Sequence, residues 1–232
     1  MRQNLFAKLF KKAVGDNTPP RKPLIPLEGA TPDKPTGFGY KCNWLAVSTT
    51  DIEKLAIAFD LTETTPCNWE YGIHYAYEGR YFVTPPVNGW TFIVSRSLPF
   101  AEDMESVQLI KVMLIDLSKT FGHAQYFGTM RVVGYDSWIK AEDGHIVRAY
   151  SISDGSNFIV EGTPTDAEKK YNLANTLSEE SQNDPGYFDR TNIDWPDESM
   201  TMEIAGAWSI NPQDLNDINT PSARLGLLGP VD

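Results

Sequence analysis

The chain has 232 residues, 41% of them hydrophobic and 12% aromatic, which is enough for a sizeable core in one large domain or two small ones. No apolar run approaches the roughly 18 residues that span a bilayer, and a formal net charge of -11 argues against nucleic acid as partner, because phosphates repel an acidic surface. Two cysteines, Cys42 and Cys67, make no disulfide framework; they read as small apolar residues of a reducing, cytoplasmic protein, with a single bridge open only if the chain were exported.

The charge is unevenly placed. Residues 1–23 hold Arg2, Lys8, Lys11, Lys12, Arg21 and Lys22 against Asp16 alone, whereas the rest of the chain carries 14 basic and 30 acidic residues. Within 2–14, Leu5, Phe6, Leu9, Phe10 and Ala13 recur at helical spacing, with the lysines mostly on the other face. The pattern predicts a basic amphipathic helix over 1–14. It suits peripheral contact with an anionic membrane, a partner's groove, or packing on the protein's own acidic body. The lysines interrupt any signal-peptide core. Six prolines, with Gly29, Gly37 and Gly39, then punctuate 15–40, which predicts an extended linker over 15–38. A single α+β domain is expected over 39–215 and a loose tail over 216–232.

Lys41–Ser48 reads as a strand. A helix capped by Thr50 or Asp51 follows to about Asp60, with Ile52, Leu55, Ala56 and Phe59 on one face. Strands are expected over 70–77, 80–84 and 90–95, joined by turns at Glu78-Gly79 and Asn88-Gly89. A helix over 105–121 buries Val107, Ile110, Met113, Leu114 and Leu117 and stops at Gly122. Strands are expected again over 125–133, 137–141, 146–152 and 157–160, with turns at Asp143-Gly144 and Asp154-Gly155. Thr165-Asp-Ala-Glu168 matches a capping box and predicts a helix to about Leu177. Pro196 suits the first position of a last helix, to about Trp208. The fold class is therefore α+β, antiparallel sheet with a few packed helices. The order strand, helix, antiparallel strands occurs twice, as a duplicated unit would give.

No phosphate loop, HExxH, CxxC or Gly-x-Ser-x-Gly motif is present. His74, His123 and His145 sit on separate expected elements; a metal site built from them with Asp136 or Glu142 would need the fold to assemble it, and ordinary histidines in strands and turns are the simpler reading. No cofactor is implied. Buried structural thiols are likewise the simpler reading of Cys42 and Cys67 as against nucleophiles. His123, near Tyr126 and Arg131, is the most site-like cluster, with His123 and Arg131 as weak catalytic candidates.

The segment 178–198 stands apart. It holds seven acids, Glu179, Glu180, Asp184, Asp189, Asp194, Asp197 and Glu198, against Arg190 alone, with Tyr187, Phe188 and Trp195 among them. Aromatics among carboxylates in a loop suit recognition of a basic protein, though a surface loop pinned by its aromatics would show the same composition. The candidate contacts are Asp184, Tyr187, Phe188, Asp189, Asp194, Trp195, Asp197 and Glu198.

Gly89-Trp90, Phe121-Gly122, Gln125-Tyr126-Phe127, Arg131-Val132-Val133, Glu161–Glu168 and Ala207–Pro212 together resemble a family of bacterial proteins of unknown function, over about residues 40–215. The resemblance implies a bacterial origin and no catalytic residues. The expectation from composition is an acidic cytoplasmic binding protein, such as an immunity protein that neutralises a toxin by direct contact. The alternatives are an enzyme with a pocket near His123, or a membrane-associated accessory protein using residues 2–14.

Overall fold

In the computed structural model, which describes residues 30–229, every α-helix starts at a side chain that accepts a first-turn amide. Asp51 caps α1 (Ile52–Ala58), Asn68 caps α2 (Trp69–Tyr77), Asp103 caps α3 (Met104–Phe121), Ser178 caps α4 (Glu179–Asn183) and Asp197 caps α5 (Glu198–Trp208). The expected helix at 1–14 and the start of the expected linker lie outside the described residues.

One antiparallel sheet of nine strands forms the middle of the molecule. In chain order these are β1 (Cys42–Val47), β2 (Thr65–Cys67), β3 (Phe82–Val83), β4 (Thr91–Ser95), β5 (His123–Met130), β6 (Tyr135–Glu142), β7 (His145–Ser153), β8 (Ser156–Glu161) and β9 (Gly226–Leu228). Across the sheet they run β2-β9-β3-β4-β1-β5-β6-β7-β8. Strands β5 to β8 are a meander. Two of its turns place Asp143-Gly144 and Asp154-Gly155 at positive φ, the left-handed geometry that tight hairpins require.

Alternation along the strands divides the core into two layers. On one face Leu45, Ile93, Tyr126 and Ile139 pack against Ile52 and Leu55 of α1, Phe59 at its C-terminal cap, and Val107, Ile110 and Leu114 of α3. On the other, Trp44, Phe92, Phe127, Trp138 and Tyr150 meet Trp69 and Ile73 of α2 and Met202 and Ala205 of α5. Trp44 stacks on Phe127 with ring centroids 5.3 Å apart, and Trp138 on Tyr150 at 4.6 Å.

Five expectations are corrected. Residues 70–77 form helix rather than strand. Trp69, Gly72, Ile73 and Ala76 are its buried residues, a helical spacing, and Asp33 accepts from the amides of Trp69 (2.7 Å) and Glu70 (3.0 Å) in addition to the Asn68 cap. Gly72 is required where α2 crosses β3, because a Cβ there would stand 2.3 Å from the Phe82 ring. This helix also ends the duplicated-unit idea: after α1 the chain makes a short strand and a second helix, whereas after α3 it makes the four-stranded meander. Of the expected loose tail over 216–232, the described residues 216–229 are no tail, since β9 pairs with both β2 and β3 inside the sheet. At the other end of the described chain, residues 33–38 are part of the domain: Asp33 O accepts from Ser222 N, and Gly37 N donates to Asn216 Oδ1.

At Thr165 only half of the expected capping box forms, with Glu168 accepting from the Thr165 amide while the Glu168 amide donates to the Thr165 carbonyl rather than to its hydroxyl, and no α-helix follows. Glu168 is buried against the sheet. Its Oε2 accepts from Thr165 N and Oγ1 (2.8 Å each), while Oε1 accepts from Arg148 Nε at 2.7 Å and Trp138 Nε1 at 2.9 Å. A carboxylate held by two strands ties its segment to the sheet face, so 163–177 crosses that face as turns. Arg148→Met leaves this carboxylate without its cation, and urea denaturation should show about 3–5 kcal/mol less stability; a loss below about 1 kcal/mol would show that the pair does not hold the segment.

Candidate functional site

Segment 178–198 folds against residues 172–175. The Tyr187 hydroxyl accepts from Asn175 N at 2.8 Å, Asp194 Oδ2 accepts from Asn172 N at 2.8 Å, and Ala174 N donates to Asp194 O at 3.1 Å. Tyr187 is therefore a buried anchor. Phe188 and Trp195 lie outside it, 59% and 36% exposed, stacked on each other with centroids 5.9 Å apart. The one cation of the segment, Arg190, is taken by Glu180 and by Asp184, the latter at 2.7 Å. The acids that remain are uncompensated within the segment.

The eight expected contact residues divide by role. Asp184 also accepts from Gly186 N at 2.9 Å, Asp194 braces Asn172, and Asp197 caps α5 through Met200 N at 2.8 Å. Backbone amide and Arg190 together hold the Asp184 carboxyl below its usual range. These three acids shape the surface as well as charging it. Phe188 and Asp189 are exposed, and Trp195 closes the patch; Glu198 is partly buried at the first turn of α5. Exposed Leu177 precedes α4 by two residues.

The histidine cluster is not assembled. His123 opens β5 and Arg131 follows its far end, eight residues on, about 26 Å at strand rise. Tyr126 points into the opposite core layer, hydrogen-bonded to Tyr135 at 2.8 Å. His123 sits across the register from Glu142 with 3.6 Å between Nδ1 and Oε1, and Glu142 pairs in turn with His145. Lys140 binds Glu142 more closely, at 2.8 Å, and is the main cause holding that carboxyl below its usual range. His74 is on α2, elsewhere in the molecule. Among the described residues no three His, Cys, Asp or Glu side chains could hold a metal ion.

Both cysteines are free and buried. Desolvation pushes each thiol up to about 12, opposed by Arg96 at Cys42 and by Arg80 at Cys67. Neither is a nucleophile at neutral pH, since the thiolate is the reactive form.

A second polar locus was missed by sequence reasoning. Asp136, 2% exposed on β6, accepts from Thr201 Oγ1 of α5 at 2.8 Å. The strand alternation could have revealed it: Asp136 shares a face with Trp138, where an apolar residue is expected.

No family model, no curated protein and no solved structure matches the chain. Among the described residues no helix is long and apolar enough to cross a membrane.

The cysteines give a direct check. At pH 8 an alkylating reagent such as iodoacetamide should leave Cys42 and Cys67 unmodified in the native protein and modify both in denaturant, by intact-mass measurement. Rapid native labelling of either would refute the buried-thiol assignment.

Proposed function

We propose that the protein is an acidic docking protein that binds a basic protein through the surface of residues 179–198, in the manner of an immunity protein that occludes a toxin. The observation that carries the reading is the exposed Phe188–Trp195 stack within a rim of acids whose only local cation is already paired. An exposed stacked pair supplies a rigid apolar anchor at low entropic cost, the kind of feature that dominates interface energetics. The surrounding carboxylates raise the encounter rate with a cationic surface and disfavour acidic partners. The buried thiols and the dispersed histidines provide no competing catalytic arrangement among the described residues.

The geometry decides which variants test this cleanly. Reversing Asp184, Asp194 or Asp197 would disturb the fold of the surface itself. Phe188 and Asp189 are exposed, and their replacement leaves the anchor Tyr187 in place. Tagged full-length protein should capture a basic protein from a lysate of the source organism. Capture should fail at about 1 M salt, where charges are screened beyond roughly 3 Å. The double variant Phe188→Ser/Asp189→Lys, shown folded by circular dichroism, should bind that protein at least about 30-fold more weakly, as expected for loss of an anchor worth about 2 kcal/mol. Equal binding by the variant would place the interface elsewhere.

A further inference from the structure

Asp136 lies under the first turns of α5, and every element around it offers it little compensation. From α5, Thr201 donates its hydroxyl, while Asp197 and Glu198 bring two further acids. From β5, Thr129 is its register partner, with a buried hydroxyl that makes no well-formed hydrogen bond. From β7 come Ile152, its register partner, and the Tyr150 phenol, which feels the Asp136 charge. The nearest cation on β7, Arg148, is committed to Glu168. Glu198 Oε1 is itself buried without a hydrogen-bond partner. A carboxylate ionised here would be a buried charge faced by two acids and served by one or two hydroxyls.

We infer that Asp136 is a pH-operated latch on the start of α5: protonated, it is a neutral hydrogen-bonding group beneath the helix, and ionised, it repels Asp197 and Glu198 and loosens the helix from the sheet. Burial is the main cause that pushes the Asp136 carboxyl up to about 7, with Asp197 and Glu198 adding to it and the two threonine hydroxyls opposing. A folded-state value raised above the ordinary 3.8 means that the stabilisation is whole below about pH 4. It is lost as pH rises to about 7, and above that the deficit is constant. The latch thus works between about pH 4 and pH 7, with its last part near neutral pH. Since α5 begins three residues after Trp195, ionisation would also disorder one edge of the acidic surface; that consequence rests on the docking reading, whereas the latch does not.

Hydrogen exchange of the full-length protein, read by mass spectrometry over residues 200–205 and corrected for chemical exchange, tests the latch. The opening equilibrium should rise about tenfold between pH 6 and pH 8 and then level off. In Asp136→Asn, which keeps an acceptor for Thr201, it should be flat. Should that variant misfold, Glu198→Gln removes one like charge and should move the rise to lower pH. A flat wild-type profile, a rise that persists in Asp136→Asn, or an unmoved rise in Glu198→Gln would overturn the inference. None of these readouts needs a bound partner, so failure of the docking reading is detected separately.

Discussion

The Glu168 carboxylate governs the arrangement of the C-terminal third of the molecule. It is fully buried, and such a charge is tolerated only when a cation and further donors surround it. Arg148 and Trp138 supply these from adjacent strands, and Thr165 closes the site from the same segment. The segment 163–177 has no regular hydrogen-bonded helix of its own, so these contacts, with the Tyr150 hydroxyl donating to Ala174 O at 2.8 Å, fix its path. The acidic–aromatic surface is built on that path through Asn172, Ala174 and Asn175. A buried ion pair thereby positions an exposed surface in the neighbouring segment.

The opposite face of the sheet solves a similar problem with neutral groups. The loop entering α3 runs over the sheet with its carbonyls turned inward. Asn43 Nδ2 donates to Leu98 O at 3.0 Å, the Tyr126 hydroxyl to Pro99 O at 2.7 Å and Ser151 Oγ to Ala101 O. Burial of Tyr126 and Tyr135 keeps both phenols protonated and able to donate. Each face therefore carries one irregular segment satisfied by side chains of the strands below, because buried backbone polar groups must find partners.

Legibility in the sequence followed how local each signal was. The meander could be read because Asp143-Gly144 and Asp154-Gly155 declare tight turns and the strands between them alternate. Helix α3 could be read because Val107, Ile110, Leu114 and Leu117 lie at helical spacing between an acidic cap and Gly122. Helix α2 was misread because its aromatic residues favour strands, and because Asp33, which supplements the Asn68 cap by accepting from the Trp69 amide, lies 36 residues away. The helix expected after Thr165 failed for the same kind of reason: the capping box is local, but the claim of Arg148 and Trp138 on its glutamate is not. Composition marked 178–198 as acidic and aromatic. Only the fold separates Tyr187, which is buried, from Phe188, which is not, and shows that Asp184, Asp194 and Asp197 serve the chain's own amides. The Asp136 locus was only half legible, since alternation puts its carboxyl on the face of Trp138 but Thr201 becomes its donor only once α5 lies across β6.

The place of β9 has a consequence for synthesis. This strand fills the gap between β2 and β3, yet it is made last, well over a hundred residues after β3. At translation speeds of about 5–20 residues per second, the ribosome needs on the order of ten seconds to deliver it. During that interval the meander and its helices can assemble on β1 and β4, while β3 presents an unpaired edge and β2 has no neighbour. Sheet edges in that state are templates for pairing with other chains. The nascent chain therefore passes through a period in which an almost complete domain is held open at one seam, and emergence of residues 226–228 closes it.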